Sequence, residues 1–581
     1  MLIGYFGNNP LNPRRLDTLL AALPPSSVRL QKAVIGQAGL AAPWVLRLPG
    51  GESLAGLTGR LLPVGQFNAK LAEELVTKLA KFGTSALEEI DGHWALAFFR
   101  PATSNLLLAH DQFGAYQLYY AQEGDSLWYS TSLKALLALP ELARQRSLDL
   151  DALHAYLAFS YVPAPRTLLK NIRCLPPQTA QVFNEPLSRI PQSTKLFRFA
   201  PASKGNDETD WCKAMSSRLW TALQHRIEPE TKMVAVALSG GLDSSAVTAG
   251  LSRLGVPLLA FHLDFGPPYN QEKEYAEKVA RFLEIPLELV NVLPSRQAVG
   301  DMLRRIVWQM EQPYGDPVTL PLWLVNRAIS EAGVKVLFNG EGGDQLLAGW
   351  PNKAMFTAEL YGGSQSYNRV ETYLRTFHHF YGSETQNQLY GSDLRRVAAQ
   401  ITLQDEIRPY LEEPTLPGLF ERLRWTNYWT KGSQNILPRA AAMARAHNLE
   451  MQAPLFDLEM ARFALTLPSE LLLKGSVEKY LLKQVLTGML PTEIIERSKR
   501  GMGVPTTEWC LGPFQSALKK WLGSALLKRG LFQPTYIRQL LQGSDLPGEI
   551  RTRRVGEKLW QLAVLEIWLE LFLDRVTLLE P

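Results

Sequence analysis

The segment that most limits the fold is a strand-like run, Met233 to Leu238, that breaks into Ser239-Gly240-Gly241-Leu242-Asp243-Ser244-Ser245 and passes directly into a helical pattern. A strand that feeds a helix through a glycine turn needs a crossover before its next strand, which is the opening unit of a parallel sheet. The next strand-like run, Leu258 to Leu263, follows one helix later. A third, Val334 to Phe338, ends again in a glycine-rich turn, Asn339-Gly340-Glu341-Gly342-Gly343-Asp344. This alternation predicts an α/β, doubly wound parallel sheet, followed from about Tyr361 by a mostly helical C-terminal region.

The first turn has the chemistry of an anion cradle. Its glycines let the backbone approach phosphate oxygens, and exposed amides at a helix N-terminus supply positive potential. The hydroxyls of Ser239, Ser244 and Ser245 can add hydrogen bonds. The turn lacks the lysine of the Walker loop and reads instead as the pyrophosphate loop of enzymes that split ATP into AMP and pyrophosphate. The simpler alternative is a helix start capped by Asp and Ser. The second turn is expected beside the first, outside the carboxyl ends of the strands. Asp243 and Asp344 are then expected to share a Mg²⁺ ion on the pyrophosphate, because Mg²⁺ takes one or two carboxylates plus phosphate oxygens.

The rest of the chain sets boundaries. Its 581 residues are too many for one core, and 46% apolar with 20% charged residues is ordinary globular composition. The net charge of +5 and the short cluster Arg551-Thr552-Arg553-Arg554 do not suggest nucleic acid as a partner. Cys174, Cys212 and Cys510 lie far apart without a CxxC pair, which indicates neither a disulfide framework nor a zinc site. Met1 to Pro10 lacks signal-peptide character, so a cytoplasmic location is expected. The apolar run Leu559 to Val576 carries Glu566, Glu570 and Asp574 on one helical face and reads as a core helix, not a membrane span. Up to about Pro201, short apolar runs such as Trp94 to Phe99, Leu106 to Ala109 and Leu127 to Ser130 predict an antiparallel β-rich domain, with a linker between roughly Asn184 and Asp210.

Taken together, ordered blocks in this chain resemble the asparagine synthetase family. They are Tyr161-Val162-Pro163-Ala164-Pro165-Arg166-Thr167 with Leu175-Pro176-Pro177, the two glycine turns, Ala446-His447-Asn448-Leu449-Glu450-Met451-Gln452-Ala453-Pro454-Leu455-Phe456-Asp457, and Glu478 to Leu482 with Leu490-Pro491 and Arg497 to Pro505. The resemblance implies two domains. Residues 1–200 would form an α+β, Ntn-hydrolase-like β-sandwich of the type 2 glutamine amidotransferase kind. Residues 208–581 would form an ATP-pyrophosphatase domain, similar to the adenine nucleotide α-hydrolases, with its helical tail. It further implies ATP and Mg²⁺, with Leu238, Ser239 and Gly340 at the adenylate, and Ser239, Gly240, Gly241, Asp243, Ser244 and Ser245 around pyrophosphate. Glu341 would handle the proton of the incoming amine, and Lys499 would stabilise charge during adenylation.

The chain also departs from that family. Glutamine-hydrolysing members begin Met-Cys-Gly, with the thiol as nucleophile; this chain begins Met1-Leu2-Ile3-Gly4. The rest of the shell is still similar, through Asp91 to Phe98, His110 to Gly114 and Ser132 to Leu136, while Thr58-Gly59-Arg60-Leu61-Leu62 is the nearest remnant of the glutamine-binding segment. Asn339, Gln345 and Gln452 replace the usual Ser, Glu and Arg. Loss of that Arg removes either a contact to a small acidic substrate or a structural ion pair. The expected activity is amide formation from a small-molecule or peptide carboxylate and an amine donor. Lasso-peptide cyclase and β-lactam synthetase chemistry are the alternatives within the family. Glu341 is against the second, since that branch carries Tyr there. A tRNA-modifying adenylating enzyme and a non-catalytic scaffold are the alternatives outside it. Whether the chain forms a homodimer or works with a partner biosynthetic protein stays open.

Overall fold

The computed structural model describes residues 1–7, 9–22, 30–35, 37–47, 53–62, 69–187, 191–197, 207–292, 298–349, 352–361, 368–377, 380–499, 501–544 and 554–575. Arg500, Arg551 to Arg553, Val576 and, within the stretch expected as linker, residues 188–190 and 198–206 lie outside these residues.

Two six-stranded sheets form the N-terminal half. One runs, in spatial order, Arg173–Cys174, Tyr119–Glu123, Ser126–Ser130, Ile3–Gly7, Ala38–Ala42 and Gln31–Ile35. The other runs Gln192–Lys195, Thr179–Asn184, Asn105–His110, Gly92–Arg100, Leu54–Leu61 and Trp44–Arg47. Side-chain alternation shows how they stack. In strand Gly92–Arg100, Ala95, Ala97 and Phe99 face a core shared with Leu2, Phe6 and Leu127 of the first sheet. Trp94, Leu96 and Phe98 face outward onto Leu75, Val76 and Leu79 of helix Ala69–Phe82. The far face of the first sheet, with Ile3, Tyr119 and Trp128, joins a core that contains helix Leu150–Phe159 and the C-terminal helix Val555–Trp568. The expected β-sandwich is therefore sheathed by helices on both sides. One correction concerns the linker: Gln192–Lys195 falls within it, yet pairs antiparallel with Thr179–Asn184 as an edge strand.

The second half carries a five-stranded sheet, in the order Leu287–Asn291, Leu258–Asp264, Val234–Ala237, Val336–Phe338, Glu450–Gln452. All of its pairings are parallel. Strands are added on one side of Val234–Ala237 and then, from Val336–Phe338, on the other. The point of reversal lies between these two, and such a point is where open α/β sheets form their ligand crevice. Strand Glu450–Gln452 comes from within the predominantly helical region and completes the sheet.

Helix Val555–Trp568 continues as the wider helical segment Leu569–Asp574. Glu566 and Asp574 both receive Arg529, and Glu570 receives Arg304 through a 2.6 Å contact. The carboxylate face is thus answered by arginines. No helix among the described residues is long and apolar enough to cross a membrane.

Candidate active site

The glycine turns leave the two central strands side by side, with Val236 paired to Phe338. A β-carbon on Gly340 would fall 2.6 Å from the Ser244 amide nitrogen, and one on Gly343 would fall 2.4 Å from the Asp243 carboxylate carbon. The loops therefore touch backbone to backbone. Gly240 adopts φ +77°, with room for a β-carbon blocked at 2.7 Å by the Ala276 amide nitrogen, so this turn requires glycine.

Inside the first loop, the Ser239 and Ser244 hydroxyls lie 2.8 Å apart, and the Gly241 amide donates to Ser239 Oγ at 3.2 Å. Ser244 Oγ also accepts from the Ser239 amide at 3.1 Å. These serines shape the loop through bonds to one another. Among the described residues the buried Ser245 hydroxyl has no hydrogen-bond partner, and neither does Asp243 Oδ1. Leu238, 1% exposed, is anchored through its carbonyl, which accepts from His262 Nδ1 at 2.9 Å.

Asp243 and Asp344 are brought together, and a residue not expected from the sequence joins them. Lys479 Nζ donates to Asp243 Oδ2 and, at 2.5 Å, to Asp344 Oδ1. Lys499 Nζ lies 2.7 Å from Asp344 Oδ2. Burial alone opposes ionisation of Asp344, but the two ammonium groups prevail and hold it well below the usual carboxylate range. Lys479 is buried too, and the paired carboxylates keep its charge. Among the described residues no cluster of three or more His, Cys, Asp or Glu forms a metal cage. Two carboxylates, one with an unpartnered buried oxygen, match the sparse protein ligation of Mg²⁺ on a phosphate substrate.

Glu341 belongs to the same site. Burial pushes its carboxyl up to about 7, with the Asp344 charge adding to the effect and Arg439 opposing it. Arg439, 3% exposed, bonds Asp316 Oδ2 at 2.8 Å and Asn435 Oδ1 at 3.0 Å. It opens helix Leu437–Ala446 just after the wide helical segment Tyr428–Ile436. Arg497 caps the other side: it donates to the Gly240 carbonyl at 3.2 Å and lies over the Tyr275 ring at 3.9 Å. Neither Lys479 nor Arg439 carries a pattern that composition or periodicity reveals. For Lys479 the available signal is its place in the block Glu478 to Leu482.

The chain matches the family model described as asparagine synthase over residues 216–570, and that described as a glutamine amidotransferase domain over residues 66–190. It belongs to the asparagine synthase family. The glutamine-hydrolysing asparagine synthetase 1 of Bacillus subtilis (strain 168) is 22% identical over 530 residues, 87% of this chain and 81% of that one. A putative glutamine-hydrolysing asparagine synthetase of Mycobacterium bovis is 25% identical, covering 87% and 80%. An amidase of Penicillium rubens is 24% identical, covering 77% and 75%.

Against that membership, the departures find places. Gln452 donates its amide to Glu450 at 2.8 Å, and Glu450 meets Arg60 of the N-terminal half at 3.0 Å. This position thus sits in a structural polar network, which favours the ion-pair explanation for the replaced Arg. Asn339 accepts the Glu341 amide at 3.2 Å through its side chain. Leu2 is 0% exposed and packed between the sheets, and the Met1 amine sits 3.3 Å from Thr58 Oγ1. Burial, with Arg445 nearby, lowers that amine to about 6. Cys174 lies in a small cavity lined also by Gln117, Gln312, Tyr314 and Gln434. Burial raises its thiol to about 12, which leaves it a poor nucleophile.

Proposed function

We propose that this protein is an ATP-dependent amide-forming ligase that activates a carboxylate as its acyl-adenylate, releases pyrophosphate and passes the acyl group to an amine, without hydrolysing glutamine itself. The supporting observation is the contact between the two glycine loops at the sheet's reversal point, with Asp243, Asp344, Glu341 and Lys499 around it.

In this reading the Ser239 to Ser245 loop holds the β- and γ-phosphates with its amides and the free Ser245 hydroxyl. Leu238, Ser239 and Gly340 border the adenylate. Asp243 and Asp344 would hold Mg²⁺, which supplies positive charge against the polyphosphate. Lys499 stands beside Asp344 and offers its ammonium to the α-phosphate as the carboxylate attacks. Glu341, poised near neutrality, takes the proton that the amine loses as it attacks the acyl carbon. Holding adenylate and amine together supplies much of the rate.

Two features support the absence of a glutaminase. Leu2 occupies the position of the family's nucleophile, and its side chain is packed into the sandwich core. Glu341 favours an amidating enzyme within the family. The test is to supply ATP, aspartate and ammonia and look for AMP, pyrophosphate and asparagine, then to repeat it with glutamine and with other carboxylates. Release of pyrophosphate with no carboxylate and amine combination, or ADP in place of AMP, would overturn the assignment.

A further inference from the structure

Lys479 stands in an unusual place for a lysine. Its side chain is 3% exposed, and its ammonium lies between two carboxylates that the ligase reading assigns to a divalent ion. Its backbone has φ 55°, in the left-handed region that few side-chain-bearing residues adopt, at the cap of helix Tyr480–Leu486. Gly349 makes the room: a β-carbon there would fall 2.4 Å from Lys479 Cε and 2.1 Å from Asp344 Oδ1. The backbone of one segment and the missing side chain of another therefore deliver this ammonium to one spot.

We infer that Lys479 is a resident cation, which bridges Asp243 and Asp344 in the nucleotide-free protein and gives up those carboxylates when a metal-bound polyphosphate enters. The inference rests on the ligase reading. Two carboxylates at this depth carry a large desolvation cost unless a positive group compensates them. The ammonium offsets part of that cost at both and keeps them in place. It also closes the position between them to a free divalent ion, which would have to displace a buried charge with nothing to receive it. A polyphosphate changes that balance, because its oxygens accept the displaced ammonium at the end of a flexible four-carbon stem. Asp243 Oδ1, buried and without a hydrogen bond among the described residues, shows that one carboxylate is under-satisfied by the lysine alone. Lys479 is in this sense a positioning residue that makes metal binding conditional on nucleotide.

The test is titration of the full chain with Mn²⁺, followed by electron paramagnetic resonance, with and without inorganic pyrophosphate. For the wild type the expected result is weak uptake of Mn²⁺ alone and at least ~10-fold tighter uptake with pyrophosphate. Lys479→Met is expected to bind Mn²⁺ alone at least ~10-fold more tightly than wild type, because the ammonium that bridges the two carboxylates is gone and Lys499 pairs with Asp344 from the other oxygen, while Lys479→Arg stays weak. A role confined to folding would not create an affinity. Equal uptake of Mn²⁺ alone by wild type and Lys479→Met overturns the inference and leaves the ligase reading standing. Should Lys479→Met not fold, the wild-type pair decides: a tight site without pyrophosphate is the overturning result. Failure of wild type to take up Mn²⁺ with either pyrophosphate or ATP removes the metal site, and both readings fall together.

Discussion

Gly340 and Ser244 approach so closely that a single added β-carbon on the glycine would sit 2.6 Å from the serine's backbone nitrogen. The two turns are hence one structure, and a side chain at Gly340 must push them apart. The Gly340→Ala variant is expected to lose about 1–3 kcal/mol of stability, the usual cost of overpacking. ATP-dependent pyrophosphate release should fall much further, by about 100-fold or more, since a displacement of the order of 1 Å at a reacting site costs about that much. Thermal melting and a pyrophosphate assay on the same preparation separate the effects. Retained turnover with full stability would show that the loops need not touch.

In the proposed mechanism Glu341 sets the pH dependence of acyl transfer. Its carboxyl titrates at about 7 in the folded protein against 4.5 in the free side chain. As the proton acceptor for the amine it works only when ionised, so the acyl-transfer step is expected to rise with pH and level off above about 7. Glu341→Gln should abolish that limb and lower the rate by about 100-fold or more, the typical contribution of a positioned base. Adenylation, read as exchange of labelled pyrophosphate into ATP, should change little. A rate limb near 7 that survives in Glu341→Gln assigns the titration to another group.

The parallel sheet and its two loops were legible because glycine turns at strand ends are local signals, read within a dozen residues. Strand Glu450–Gln452 was not, since three residues carry no periodicity and the strand exists through its pairing with Val336–Phe338. The edge strand Gln192–Lys195 escaped for a related reason: its polar, exposed residues look like linker until Thr179–Asn184 supplies their hydrogen bonds. In the candidate site, Ser239 to Ser245 and Asp344 are named by the sequence as neighbours, and the fold brings them together. Lys479 reaches Asp243 and Asp344 across 236 and 135 residues of chain, and Arg439 acts on Glu341 from elsewhere in the chain, through burial and charge that only the folded sheet creates.

The N-terminal position offers a direct substitution. Leu2→Cys restores the residue that glutamine-hydrolysing family members carry, yet here it would remove a fully buried side chain from the core between the sheets. The expected outcome is a loss of about 1–3 kcal/mol, in the range for trimming a buried aliphatic side chain, with no release of glutamate from glutamine. Chemical denaturation and a glutamate assay measure the two halves. Glutamate release by Leu2→Cys would show that the glutamine pocket is intact behind the leucine.

Asp91 joins the halves of the molecule. It accepts the Leu458 amide at 3.0 Å, and Arg226, 3.8 Å away, also holds Asp457 at 2.7 Å. Burial first, then the Asp457 charge, raises Asp91 to about 8 despite Arg226. The folded state therefore keeps a proton that the unfolded chain releases from about pH 4 upward. Stability from this group is complete below the unfolded value, declines as pH rises and is gone above about 8. Asp91→Asn places a permanently neutral amide where the protonated acid stands. It should melt close to wild type near pH 4 and increasingly above it between pH 5 and 9, with the largest gain at the alkaline end. A variant that melts below wild type across that whole range would mean that the ionised carboxylate is the form that binds the two halves.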